Sequence, residues 1–294
     1  MLVDAIAPQP IGHGLNMRTV SARSNNALAS AETKGARRAL ETTEGKPRLS
    51  DIYNCTFDVV LAQTAAQRQE CFRLRYEVYC VENGYEDPAA NPGGMETDAF
   101  DEQALHALLV HRQSRHTVGT VRLILPQHSE KDINLPIGNV CNHELFLRDG
   151  KILPWAQTAE ISRFAVSKNF RKRVGDAPPV GTISASPDIP RRQIYNTSLG
   201  LMQAIVSMAK SRNITHVCAV MEPFLLRMLR KLGIYFIPLG PPVHYHGIRQ
   251  PCYSDLDELL ARVWVEKPEV WELITKEGSV WPLNGDIVAS LQVV

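Results

Sequence analysis

The chain has 294 residues, 44% of them hydrophobic, enough to bury a sizeable core in one or two domains. Its 32 basic and 31 acidic residues nearly cancel, so the overall balance names no partner and any electrostatic partner must be read from local patches. No apolar run approaches the roughly 18 residues that cross a bilayer, which excludes a helical membrane span.

Pro8, Pro10, Gly12 and Gly14 interrupt any signal-like apolar region, with a transit-type leader as the alternative reading of the early Arg and Ser residues. The six cysteines (Cys55, Cys71, Cys80, Cys141, Cys218, Cys252) form no C-x-x-C pair and sit mostly inside apolar patterns. A reducing cytoplasm is the expected location.

Residues 1–50 mix Ser, Ala, Asn, Gly, Pro and charge with almost no clustered aliphatics, so burial cannot offset their ordering entropy. They are expected to form a flexible extension, followed by a single α/β domain over 51–294. Thr56 to Leu61 alternates as a strand. A helix capped by Thr64 is expected to run to about Asn83 and stop at Gly84, with Cys71, Phe72, Val78 and Tyr79 inward and Arg75 in the middle of that stripe. A loop rich in Pro, Gly and acids occupies 84–103.

Strands follow near Leu105–His111 and Val118–Leu125, then a less regular stretch with a short helix around Asn142–Leu147, then a strand over Thr158–Val166. Ser167–Arg192 reads as a long loop and Gln193–Arg212 as an amphipathic helix. The strand His216–Met221, the helix Pro223–Leu232, and strands at Ile234–Leu239 and His244–Tyr253 come next, with one or two helices between Leu256 and Lys276. No internal repeat is visible. The order implies one central mixed sheet with helices on both faces.

Four segments place ionisable groups where the pattern expects apolar ones. Arg75 lies on the helix stripe. Arg122 lies in Val118–Pro126, a strand apolar on both faces. Glu160 and Arg163 interrupt Thr158–Val166, and Glu96, Asp98 and Asp101 fall within six residues ahead of a strand. Buried charges must be paired. Arg75, Arg122 and Arg163 are therefore expected to balance Asp98, Asp101 and Glu160 in one cluster, where groups with perturbed pKa values collect. Separate structural salt bridges are the competing explanation. Glu160 and Arg163 are three apart, so they can share one site only if the strand carries a bulge.

R-x-x-x-Y (Arg75 to Tyr79), E-x-D-x-x-D (Glu96, Asp98, Asp101), G-x-x-R-L-x-x-P (Gly119 to Pro126) and E-x-x-R-F-x-V (Glu160 to Val166) resemble the ordered motifs of acyl-homoserine-lactone autoinducer synthases. They are more similar still to acyltransferases associated with PEP-CTERM/exosortase systems and to N-acyl amino acid synthases. The resemblance covers roughly residues 55–240. It implies a GNAT-type fold whose bulged fourth strand is Thr158–Val166, an acyl carrier protein or acyl-CoA as donor, and a small amine or amino acid as acceptor. Tyr85 stands where the autoinducer synthases usually carry Trp, and the N-terminal extension, the 174–192 loop and a longer C-terminal region also depart from them. These departures weigh against lactone formation but not against acyl transfer.

On this reading Glu160 is the general base, acting through a water, and backbone N–H groups freed by the bulge near Arg163 and Phe164 polarise the thioester carbonyl. Asp98 and Asp101 hold the acceptor amine or fix Arg75 and Arg122. Tyr79 and Tyr85 line the substrate site, and the arginines pair with an acceptor carboxylate. Lys168, Arg171, Lys172 and Arg173 precede a helix N-terminus, a suitable place for the phosphate of a phosphopantetheine arm. Nucleic-acid binding or a plain solvated loop compete there. Phe224, Leu225, Met228 and Leu229 form either an acyl tunnel or core. His244 and His246 lack a third ligand, so neither a metal nor a bound cofactor is expected. Beyond contact through a lipid product, no membrane association is expected. The rival functions are autoinducer synthesis and non-catalytic binding of an acyl carrier or lipid.

Overall fold

The computed structural model describes residues 47–127, 134–141, 143, 153–168 and 197–291. The expected helix at 142–147, most of the basic loop and nearly all of the N-terminal extension lie outside these residues.

A short helix, α1 (Leu49–Thr56), which the sequence pattern does not announce, leads into strand β1 (Phe57–Leu61). Helix α2 (Ala65–Tyr76) starts as its cap predicts: the Thr64 hydroxyl accepts from Gln67 N while the Gln67 side chain accepts from Thr64 N. The expected continuation to Asn83 is helical, but Glu77–Glu82 is wound as a π-helix. Such insertions are concentrated at functional sites.

Strands β2 (Ala104–His111), β3 (Thr117–Ile124), β4 (Thr158–Val166) and β5 (His216–Met221) match their predicted positions within two residues. Helix α3 (Thr197–Ser211) and helix α4 (Pro223–Lys231) also fall as expected. The predicted strand Ile234–Leu239 shrinks to β6 (Ile237–Pro238). The predicted strand His244–Tyr253 divides into β7 (Val243–His244) and β8 (Ile248–Asp255) because His246 and Gly247 turn the chain through positive φ. Helices α5 (Leu256–Glu266), α6 (Pro268–Thr275) and the unexpected α7 (Gly285–Leu291) follow.

The strands lie in the order β1-β2-β3-β4-β5-β8-β6, with β7 paired to β8. All the neighbours are antiparallel except β4 and β5. Helices cover both faces. On one face α3, expected as a one-sided amphipathic helix, is buried over nearly its whole circumference, Ser198 and Gln203 included. Its Leu201 touches the position where a Gly119 Cβ would stand. It approaches β2 so closely that a Cβ on Gly200 would lie 2.6 Å from Leu109 Cδ1 and 2.5 Å from the Tyr53 hydroxyl. On the other face α2 sets Cys71 against the Ala107 carbonyl and Leu74 against Ala165. None of the described helices is long and apolar enough to cross a membrane.

Two irregularities shape the middle of the sheet. Strands β4 and β5 pair only from Thr158 to Ile161 against His216 to Ala219, and then part. Just beyond that point β4 bulges: Thr120 faces Ala165 and Arg122 faces Ser162, so Arg163 and Phe164 together oppose Val121. Arg163 takes φ +49°, in the left-handed region.

Candidate active site

The bulge does what the three-residue spacing of Glu160 and Arg163 requires. Ser162 stays on the Arg122 face and the extra residue returns Arg163 to that face. Phe164 then packs on the main core under α3.

Three arginines meet there. Arg75 is fully buried on α2; its Nε donates to Glu96 Oε2 at 2.5 Å, and Nη1 and Nη2 donate to the two Asp101 oxygens at 2.6 and 3.1 Å. Arg122 on β3 donates from Nη1 to Asp98 Oδ1 and Asp101 Oδ1, both at 2.6 Å, and from Nε to the Ser162 hydroxyl at 2.9 Å. Arg163 reaches Glu96 Oε1 at 2.8 Å, Asp98 Oδ2 at 3.2 Å and Glu86 Oε1 at 3.3 Å through Nη2, and its guanidinium lies 5.2 Å above the Tyr79 ring.

The acid spacing has a local cause. Asp98 caps the 3-10 helix Ala99–Gln103 by accepting from Phe100 N, and Asp101 accepts from Asp98 N, a reciprocal box that needs N-cap and N3 three apart. Glu96 is two residues earlier on extended chain, so it points to the same side.

Glu96 bridges Arg75 and Arg163, the place in the cluster expected to fall to Glu160. This corrects the expected cluster: its acids are Glu96, Asp98 and Asp101, with Glu86 at the edge. Glu160 is not ion-paired to any of its arginines among the described residues. Its Oε2 accepts from Ile137 N at 2.7 Å, and Ile124, Ile137, Cys218, Cys141 and Leu239 form a small core on its strand face. Each of the three guanidinium groups, expected to pair with an acceptor carboxylate, is engaged by protein carboxylates.

The electrostatics separate the two sets. Burial pushes the Glu160 carboxyl up to about 8, with the Ile137 N–H and the more distant arginines offsetting only part of that cost. Burial also opposes ionisation of Glu96 and Asp101, but direct bonds to Arg163 and Arg75 outweigh it and bring both down to about 2. His106, beside Asp101 and edge-on to Phe72, is lowered to about 4 by burial and stays neutral. It is a buried member of the site that the strand alternation concealed.

The remaining predicted residues scatter around this centre. Tyr79 supports Arg163, and Tyr85 N donates to Tyr79 O at 2.7 Å. The Tyr85 ring lies beneath Arg249 and near His246, whose Nε2 is 3.6 Å from Glu86. Lys168 N donates to Glu82. Arg171, Lys172 and Arg173 lie outside the described residues. In α4, Leu229 is buried core and Leu225 packs against it, while Phe224 is exposed. The described residues hold no group of three or more His, Cys, Asp or Glu suited to a metal. Two surface depressions of about 340 and 670 Å³ share no residue with the cluster.

The family model described as acetyltransferase (GNAT) domain matches residues 74–177, a span that contains all four motifs. The chain is thus an acyltransferase of GNAT fold, with a mixed, mostly antiparallel sheet. No curated protein matches it. Solved structures with similar folds include TofI in a ternary complex with an inhibitor and MTA (20% identity, 73% of this chain and 99% of that one, TM-score 0.49). Another is the CoA-dependent acyl-homoserine lactone synthase BjaI with MTA (18%, 81% and 99%, TM-score 0.49). A third is FeeM, an N-acyl amino acid synthase from uncultured soil microbes (16%, 70% and 93%, TM-score 0.49).

Proposed function

We propose that the chain transfers a fatty acyl group from a thioester, on acyl carrier protein or CoA, to the amino group of a small acceptor, an amino acid, in the cytoplasm. The observation that carries the reading is Glu160: a buried carboxyl pushed up to about 8, next to the last β4–β5 pair and three residues before the bulge. A base poised near the working pH transfers protons efficiently in both directions.

A thioester is already activated, so aminolysis needs no covalent enzyme intermediate. Glu160 takes a proton from the acceptor ammonium through a water. The freed lone pair attacks the carbonyl carbon, main-chain N–H groups of Arg163 and Phe164 stabilise the oxyanion, and its collapse breaks the C–S bond as the second nitrogen proton passes to the departing thiolate, giving amide and thiol. Asp98, the most accessible carboxylate of the three, holds the incoming ammonium. Lys168 with Arg171, Lys172 and Arg173 receives the phosphopantetheine phosphate, and Tyr85 lines the acceptor side. The amino acid acceptor rests on the motif resemblance, since the cluster arginines are already engaged.

Thiol release from C8 to C16 acyl carrier proteins and acyl-CoAs, with and without single amino acids, tests the reading. Amine-dependent release that falls 10²- to 10⁴-fold in Glu160→Gln is the expected result. Carrier binding without release, equal in both proteins, overturns it.

A further inference from the structure

We infer that Arg163 is a positioning residue whose side chain clamps its own backbone in the left-handed conformation, so that the bulge N–H groups face the gap between β4 and β5. The inference rests on the acyl-transfer reading above.

In bulges with a left-handed first residue, that residue is normally glycine, because a Cβ crowds the neighbouring carbonyl. Position 163 carries a full arginine at φ +49°. Something must offset the cost of that conformation. The side chain supplies it: Nε lies 3.1 Å from both Glu96 oxygens, Nη2 reaches Glu96, Asp98 and Glu86, and the Tyr79 ring supports the guanidinium face. These partners come from the π-helix, from the loop after it and from the extended segment before the 3-10 helix. They therefore fix the fork from several directions. Arg75 fixes Glu96 in turn at 2.5 Å.

The positive charge of Arg163 is directed at Glu96, Asp98 and Glu86 through Nε and Nη2. On the other face of the sheet Phe164 packs into the main core, so the bulge is held from both sides. What position 163 contributes to chemistry is a backbone direction. Glu96 and Glu86 act through it.

The test compares Arg163→Gly, Arg163→Asn, Arg163→Ala and Arg163→Lys by kcat, KM and melting temperature. Glycine adopts φ near +50° without a clamp, and asparagine tolerates it. Arg163→Gly is expected to keep kcat within about tenfold of wild type, the strain it relieves offsetting the lost ion pairs. Arg163→Ala keeps the steric conflict and loses the clamp; kcat falls by about 10² to 10³, the scale of a lost oxyanion donor, with KM for the donor changing far less. Arg163→Asn falls between them. Arg163→Lys keeps the charge without the fork and groups with Arg163→Ala. Glu96→Gln lowers kcat, and adding Arg163→Gly restores part of it, a rescue that a merely structural salt bridge does not give.

Arg163→Gly no more active than Arg163→Ala, a chain that fails to fold with that glycine, or Arg163→Lys as active as wild type each overturn the inference. A wild-type chain that transfers no acyl group to any amine sinks the acyl-transfer reading instead. The order of melting temperatures, Arg163→Gly above Arg163→Ala, then still decides the conformational claim.

Discussion

Glu96 and Glu160 are almost equally inaccessible, at 2% and 3% exposure, and both feel the field of Arg163, yet one titrates near 2 and the other near 8. Depth does not distinguish them, because burial alone raises any carboxyl. Partners do. Glu96 receives two guanidinium groups at hydrogen-bond distance, whereas Glu160 receives one neutral backbone N–H among aliphatic and thiol groups. One strand and the chain facing it thus hold one carboxyl as a fixed anion and another, far along the sequence, as a group that titrates near neutral pH.

The comparison breaks most decisively at Glu160. Wild-type kcat/KM is expected to rise with pH through an apparent pKa near 8, as Glu160 becomes able to accept the acceptor's proton, and Glu160→Gln should abolish that limb along with 10² to 10⁴ of the rate. A limb that persists in the mutant assigns the titration to the acceptor amine. Next in size is Arg75→Met, which leaves Glu96 and Asp101 short of a buried partner and should cost about 3–5 kcal/mol by urea unfolding.

The two carboxyls also pull stability in opposite directions with pH. Glu160 has a folded pKa above its unfolded value of 4.5, so between about 4.5 and 8 the native state holds a proton that the unfolded chain has released. Stability from this group is therefore present at low pH and lost as pH rises through that window. Glu96 and Asp101 are depressed to about 2, so their contribution is present above pH 4.5 and lost as pH falls toward 2. Unfolding series from pH 2 to 9 should show Glu160→Gln flattening the alkaline slope and Glu96→Gln the acid one. A control away from both carboxyls is Gly200→Ala, where the new methyl meets the Tyr53 hydroxyl and Leu109. A loss of about 1–3 kcal/mol with the pH–rate profile unchanged is expected from differential denaturation and assay.

Much of the fold was legible because local pattern and tertiary role agree. Thr64 caps where it should, β2 to β5 keep their alternating or fully apolar character, and the apolar stripe of α3 packs on the core, although the rest of that helix is buried too. The pattern failed where a few residues change direction. His246 and Gly247 cut one predicted strand into a hairpin, and from Glu77 the helix is wound as a π-helix although Val78 and Tyr79 still pack inward as expected. In the site, the misplacement of charge correctly singled out Arg75, Arg122 and Arg163, since such groups have no place on apolar faces unless paired. It could not assign the partners, because Glu96 and Glu160 carry the same functional group and pairing depends on distance across the sheet.

The sequence by itself determined that three arginines would be buried, that acids would meet them, and that the fourth strand must bulge for Glu160 and Arg163 to share a face. These follow from periodicity and from the cost of an unpaired buried charge. Only the tertiary structure decided which carboxylate stays ionised. Ionisation is set by the few ångströms between a carboxyl and its donors, and those distances exist only once α2, β3, β4 and the acidic turn are packed together.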